Sequence, residues 1–165
     1  MGRWKPPPPQ ASPYITPEGY EALQEELKGL WLKRREVVKA LSAAAAEGDR
    51  SENAEYIYRK KELGGIDYRI RYLQKRLPKI NVVRETADAD KVYFGAWVSL
   101  EDIDDAAIAI EYRIVGPDET DGQRKFISID SPLAKAMLKK QVDDEVSITI
   151  AGERTGYLIT AIRYQ

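Results

Sequence analysis

A short polar stretch, residues 48–56, holds the side chains with the clearest chemical potential in this chain. Its sequence is GDRSENAEY, so that Asp49 and Glu52 stand three residues apart. Carboxylate oxygens suit Mg²⁺, but this ion takes about six oxygen ligands in a near-octahedral array, so two carboxylates at an exposed turn cannot enclose it. We expect Asp49 and Glu52 to complete a magnesium site whose other ligands come from a second molecule, and the isolated protein to bind Mg²⁺ poorly.

The spacing of the two carboxylates also fits a capping box at a helix start. In that arrangement Asp49 would accept a hydrogen bond from a backbone amide and Glu52 would reach back to the cap. A capping box explains two carboxylates but not the other polar residues of the segment or Glu47 just before it. We expect five residues to support the tip: Arg50, Ser51, Asn53, Glu55 and Tyr56. On spacing alone, both interpretations remain open.

Two helix-forming segments flank this stretch and would position it. The first begins at Thr16-Pro17, a capping residue followed by a first-turn proline, and is predicted to run to about Glu47. The second is predicted from about Glu52 to Leu77, where Pro78 ends it. Apolar residues recur in each segment at alternating steps of three and four, which is typical of a coiled-coil seam: Tyr20, Leu23, Leu27, Leu30, Val37 and Leu41, with Arg34 at the missing position, then Tyr56, Leu63, Ile66, Ile70, Leu73 and Leu77.

These seams predict an antiparallel helical hairpin, residues 14–79, with arms roughly 40 Å long and the acidic stretch at its tip. Gly64-Gly65 interrupts the second arm and indicates a bend or a close approach of the arms. Residues 80–165 change to short alternating strands, predicted at 92–98, 107–115, 146–150 and 156–162. One helix is predicted at 134–140, with Ser131 as its cap and Pro132 as the first helical residue. The predicted class is α+β, a coiled-coil hairpin followed by a small antiparallel sheet domain with one helix.

Composition excludes several chemistries. The chain has no cysteine and no histidine, which removes disulfides, thiol nucleophiles, imidazole bases and the usual zinc sites. Residues 1–13 contain four consecutive prolines and are predicted to be a disordered tail, with a proline-motif ligand as the alternative. No apolar run approaches the roughly 20 residues that span a bilayer, so we expect a cytoplasmic protein with no membrane partner.

Three motifs in order resemble the Gre transcript cleavage factors of bacterial RNA polymerase. They are ITPEGY at 15–20, GDRSENAEYIY at 48–58 and IDSPLAKAML at 129–138. Arg50-Ser51, Tyr56-Ile57-Tyr58 and YFGAWV at 93–98 are most similar to the GreB branch. The similarity covers about residues 14–164; the proline-rich tail is an addition, and Asp143 stands where the family commonly has glycine.

The resemblance implies an accessory factor, not an enzyme. Its hairpin would enter the secondary channel of RNA polymerase, place Asp49 and Glu52 beside the catalytic Mg²⁺ held jointly with the polymerase, and stimulate cleavage of nascent RNA 3′ ends in backtracked complexes. Residues 80–165 would be an FKBP-like domain that docks on the channel rim through Asp130, Ser131 and Pro132. For these three residues, a simple helix cap is the alternative. We expect the factor to act as a monomer.

Basic residues at helical spacing fit a patch that guides extruded RNA. A salt-bridged coiled-coil surface explains them equally well. They are Lys28, Arg35 and Lys39 on the first arm and Arg59, Lys60 and Lys61 on the second. Residues 14–79 carry 14 basic and 11 acidic side chains, whereas residues 80–165 carry 10 and 16, which allows a polyanion partner for the hairpin only.

Two other functions compete with cleavage stimulation. A Gre-like inhibitor would occupy the same channel without assisting the chemistry, and the presence of both Asp49 and Glu52 argues against it. A prolyl isomerase or chaperone unrelated to polymerase would use only the FKBP-like domain, which is short of pocket aromatics.

Overall fold

The computed structural model describes residues 9–48, 53–86 and 88–164. The chain forms two compact units. Glu18–Ile80 make the hairpin unit, and Met1–Pro17 together with Asn81–Gln165 make the globular unit. Residues 14–17, which we predicted as the start of the hairpin, therefore fall in the globular unit.

Two helices build the hairpin unit. Helix α1 spans Pro17–Ala45 and helix α2 spans Ala54–Arg76, followed by a 3₁₀ turn at Leu77–Lys79. The apolar residues of both predicted seams are wholly or partly buried, as expected because a side chain of this size gains about 1.5–3 kcal/mol on leaving water. The residues of the seams that are almost fully covered are Leu23, Val37, Ile66, Ile70 and Leu73.

Ion pairs join the two helices beside this seam. Arg69 holds both carboxylate oxygens of Glu26 at 2.9–3.2 Å, the bidentate geometry that favours a fixed orientation. Arg34, which occupies the missing apolar position, donates to Asp67 at 2.6 Å. That hydrogen bond, with the charge of Asp67, raises the pKa of Arg34. The seam is thus interrupted by a polar link instead of an unpaired cation.

The globular unit is a five-stranded sheet with one helix. Its strands are β3 (Trp97–Asp102), β4 (Ala109–Val115), β5 (Phe126–Ser128), β6 (Glu145–Ile150) and β7 (Glu153–Arg163), in the order β5-β4-β3-β7-β6. The pairs are antiparallel except for the parallel pair β4-β5. Two short strands, β1 (Tyr14–Ile15) and β2 (Asn81–Val82), form a separate parallel pair. The α+β prediction is confirmed.

Helix α3, Pro132–Met137, covers this sheet. Met137 and Ala134 are fully buried with Val98, Leu100 and Ile159 in one core. The helix begins at Pro132, the residue predicted as its first, and ends at Met137 instead of the predicted Lys140. The predicted strand 92–98 is wrong in its bounds: Gly95 has a φ of +87°, which takes the backbone out of extended geometry before β3 begins at Trp97.

Candidate functional site

The hairpin ends close to the predicted acidic tip. At the end of helix α1, the amide of Ala46 donates a hydrogen bond to the carbonyl of Ser42, and the amide of Glu47 donates to the carbonyl of Ala44, both at 3.2 Å. Gly48 then takes a φ of +126°, a conformation that favours glycine. The next four residues lie outside the described residues. They are Asp49 and Glu52, predicted to be catalytic and to bind the metal, and Arg50 and Ser51, predicted to support the tip.

Asn53 joins the two helices at the tip. Its side-chain oxygen accepts from the amide of Tyr56 at 3.1 Å, which caps α2. Its side-chain nitrogen donates to the carbonyl of Ala44 at 2.7 Å, close to the end of α1. Ala44 is 3% exposed, so its carbonyl has little access to water. One amide side chain thus satisfies a free backbone amide at the start of α2 and adds a second donor to the Ala44 carbonyl, which also accepts from the amide of Glu47.

The position of this cap shows where α2 begins. If Asp49 capped the return helix, the helix would begin near residue 50. It begins at Ala54, with Asn53 as the cap. Two other tip-supporting residues lie in its first turn: Glu55 accepts from Arg59 at 2.8 Å, and Tyr56 is half-buried. The start of α2 therefore does not depend on a capping box of Asp49 and Glu52.

The predicted basic patch is exposed except for one member. Lys28, Arg35 and Lys39 are exposed on α1, and Lys60 and Lys61 are exposed on α2. Arg59 is half-buried and lies between Glu55 and Glu62, and the hydrogen bond that it donates to Glu55 raises its pKa. Arg59 is therefore part of the surface ion pairs of α2.

A groove between the helices brings one patch residue together with a lysine that we did not predict. The groove has a volume of about 510 Å³. Lys61 and Lys33 line it with Tyr58, whose side chain is 59% exposed. Leu30 and Ile66 give the groove an apolar lining, and the acidic residue Glu62 also lines it. Lys33 could have been found by projecting both helices onto a common seam.

The predicted docking residues form a turn that leads into α3. Asp130 and Ser131 are half-buried, and Pro132 is exposed. Ser131 accepts from the amide of Ala134 at 3.2 Å, which confirms it as a helix cap. The amide of Asp130 donates to the hydroxyl of Ser128 at 3.0 Å. The carboxylate of Asp130 takes no part in the cap and is directed to Ser12 instead.

Within the stretch expected to be a tail, Ser12 and Pro13 contact the globular unit. Ser12 donates to Asp130, 118 residues away in sequence, and the Pro13 carbonyl accepts from Asn81 at 2.6 Å. We assign both residues to the globular unit. No local pattern could predict contacts over such a separation.

Two absences concern only the described part of the chain. No helix there is long and apolar enough to cross a membrane. In residues 9–48, 53–86 and 88–164, no three acidic side chains come together in a group that could hold a metal ion.

Comparison with known proteins accounts for nearly the whole chain. A family model described as "Transcription elongation factor, N-terminal" matches residues 13–82, and one described as "Transcription elongation factor, GreA/GreB, C-term" matches residues 87–164. Transcription elongation factor GreB of Xanthomonas axonopodis pv. citri (strain 306) is 56% identical, over 99% of this chain and 98% of that protein. GreB of Pseudomonas aeruginosa is 53% identical, over 96% and 95%. Among solved structures, GreA factor homolog 1 of Thermus thermophilus is 24% identical, over 92% of this chain and 99% of that chain, with a TM-score of 0.43.

The chain belongs to the GreA/GreB family of transcription elongation factors. Its high identity to factors named GreB confirms the predicted GreB branch. As a Gre-type elongation factor it is an accessory protein of transcription, and its partner is RNA polymerase.

Proposed function

We propose that this elongation factor inserts its hairpin into the secondary channel of RNA polymerase and stimulates cleavage of nascent RNA 3′ ends in backtracked or arrested complexes. The polymerase remains the enzyme, and the factor activates its intrinsic cleavage in the cytoplasm as a monomer. The observation that carries the proposal is the closed hairpin end, where Asn53 ties α2 to Ala44 of α1. Residues 49–52 connect the two helix ends at that point.

The hairpin is suited to carry carboxylates to a distant centre. At about 1.5 Å per residue, the 29 residues of α1 and the 23 residues of α2 make long arms. The Glu26–Arg69 and Arg34–Asp67 pairs and the Val37-Ile66-Ile70 cluster link the arms at several levels. Because such links oppose sliding and fraying of the arms, they support a stiff carrier.

Asp49 and Glu52 are the residues that would hold Mg²⁺ jointly with the polymerase. Their oxygens fit the donor preference of this ion, and two carboxylates leave room for ligands from the partner. When bound, the ion would stabilise charge and lower the pKa of an attacking water during phosphoryl transfer. The contribution of this chain is to deliver the carboxylates and to hold them in a fixed position.

The groove of the hairpin unit supports a path for extruded RNA. Lys33 and Lys61 offer cations for phosphates, and the exposed ring of Tyr58 offers a surface on which a base can stack. Lys28, Arg35, Lys39 and Lys60 are exposed and would add to the attraction by charge. Arg59 would contribute less because its guanidinium is engaged by two glutamates.

The turn at residues 130–132 would dock on the rim of the channel. The carboxylate of Asp130 is not consumed by the helix cap, which Ser131 provides. A half-buried carboxylate beside an exposed proline offers one charged and one apolar contact to a partner. Asp130, Ser131 and Pro132 are therefore our candidates for polymerase binding.

The test is RNA shortening in defined complexes. Bacterial RNA polymerase is stalled and backtracked on a template with 5′-labelled RNA, and cleavage is followed with and without this protein. Faster shortening with the protein is expected. Binding without faster shortening would instead favour a channel inhibitor, and absence of binding together with turnover of a proline peptide would favour an isomerase.

A further inference from the structure

Residues 12–16 form a strap along the globular unit. The carbonyl of Pro13 accepts from Asn81 at 2.6 Å, and the carbonyl of Ile15 accepts from Val83 at 2.9 Å. The side chain of Ile15 is fully buried. The amide of Thr16 donates to Glu119 at 3.0 Å, and its hydroxyl donates to the same carboxylate. The strap is therefore held by backbone, apolar and side-chain contacts.

The first residue of the strap holds the carboxylate of Asp130 at both oxygens. The amide of Ser12 donates to Oδ2 at 2.9 Å, and its hydroxyl donates to Oδ1. Two donors from one residue fix both the position and the plane of the carboxylate. An ionised carboxylate offers about four acceptor sites, so it can accept from more than one donor at a time.

We propose that Ser12 is a positioning residue for polymerase docking, which it supports by fixing the carboxylate of Asp130. This inference rests on the proposed function and on the docking role given there to Asp130. A carboxylate already held in one orientation loses less conformational freedom on binding. The strap thus belongs to the docking site, although its sequence position is remote from it.

Competition between the strap and polymerase for Asp130 predicts the opposite change in binding affinity. Removing the Ser12 hydroxyl would then tighten binding. If Ser12 positions Asp130, the same change weakens binding. A single substitution therefore distinguishes the two effects.

The first experiment measures the affinity of the full chain for RNA polymerase. Ser12→Ala keeps the backbone donor and removes only the hydroxyl, so we expect Kd to rise about three- to tenfold, as for loss of one ordering hydrogen bond. Ser12→Thr, which keeps a hydroxyl, should restore affinity. Ser147→Ala is the matched control, because it removes an exposed serine hydroxyl that accepts from Arg154 on the same unit.

A double-variant cycle shows whether Ser12 acts through Asp130. In the Asp130→Ala background, Ser12→Ala should change Kd by less than about twofold. RNA cleavage at saturating factor should be equal for Ser12→Ala and the original chain, because positioning for docking affects binding and not the chemical step. A general loss of stability would lower both the affinity for polymerase and the cleavage at saturating factor.

The second experiment uses the isolated protein and does not depend on polymerase. The amide of Ser12 should exchange with solvent about tenfold faster in Asp130→Ala, because its acceptor is gone. Ser147→Ala should leave that exchange rate unchanged.

Three results would overturn the inference: unchanged Ser12 exchange in Asp130→Ala, equal or tighter binding by Ser12→Ala, or an equal loss of affinity in the Asp130→Ala background. Each can occur while the original chain still binds polymerase and speeds RNA cleavage. Failure of the original chain to bind would overturn the proposed function as well, so the two failures are distinguishable.

Discussion

Replacement of Asn53 should open the hairpin at its tip. Asn53→Ala removes the cap on Tyr56 and the link to the Ala44 carbonyl. Loss of a cap costs about 1 kcal/mol, and loss of the second hydrogen bond costs about another 1 kcal/mol. A total of about 2 kcal/mol corresponds to roughly a 30-fold increase in local opening.

Amide hydrogen exchange measures this opening directly. The amide of Tyr56 donates to the side-chain oxygen of Asn53, and the amide of Ile57 donates to its backbone carbonyl. Both amides lie in the first turn of α2, so we expect both to exchange roughly 30-fold faster when this end opens in Asn53→Ala. Asn53→Ser retains a capping oxygen but lacks the side-chain amide donor. Its local stability should fall by about 1 kcal/mol, and these amides should exchange roughly fivefold faster. Gln74→Ala, an amide removed from an exposed position of α2, is the control and should change neither rate.

The outcome also bears on function. If the tip must be closed to deliver its carboxylates, RNA cleavage should fall more in Asn53→Ala than polymerase binding does. Equal exchange rates in the Ala and Ser variants would show that the cap on Tyr56 contributes nothing. A Ser variant that exchanges as slowly as the original chain would show the same of the link to Ala44. Unchanged rates in both would refute the assignment of Asn53 as the residue that closes the tip.

Three further predictions concern stability. Gly64→Ala should slow exchange in α2 about two- to fivefold, because its Cβ would enter open space and alanine favours a helix by up to about 1 kcal/mol. Gly116→Ala should destabilise the strap by about 1–3 kcal/mol and speed exchange of the Val83 amide, because the new Cβ would lie 2.0 Å from the carbonyl oxygen of Tyr14. Arg163 donates to Glu111 and lowers the pKa of that carboxyl below its ordinary 4.5. Urea unfolding should therefore show a stabilisation by this ion pair of at most about 1 kcal/mol. The stabilisation is present above pH 4.5 and is lost as pH falls through the lowered pKa of Glu111. The Glu111→Gln variant should lack this pH-dependent stabilisation.

The helical half of the chain follows from its sequence because its determinants are local. Apolar steps of three and four, Pro17 at a first turn and Pro78 after the last each act within a few residues. The one seam position occupied by Arg34 is compensated by Asp67 on the other helix. Gly64 has no close neighbour at its Cβ position, so the prediction of a close approach of the arms at this glycine is wrong. The predicted start of α2 near Glu52 lies two residues before the observed start at Ala54, because Asn53 is one of several polar residues there that can cap a helix.

The sequence predicts the α+β class of the globular half but not its shortest strands or the strap. β5 has three residues and β1 and β2 have two each, too few for an alternating pattern to appear. The strap depends on pairs such as Ser12–Asp130 and Thr16–Glu119, more than 100 residues apart. Such contacts come from the tertiary fold, and a serine beside a proline-rich stretch gives no signal of them.

The central claim is that the tip carboxylates supply the chemistry that this factor adds to the polymerase. The most direct measurement is cleavage of 5′-labelled RNA in backtracked complexes by the Asp49→Asn/Glu52→Gln double variant, with polymerase binding measured in the same samples. Glu47→Gln, which removes an exposed carboxylate next to the same turn, is the matched control. We predict that the double variant binds as the original chain does and that cleavage falls to the rate of polymerase alone, while Glu47→Gln retains stimulation. Full stimulation by the double variant would contradict the account.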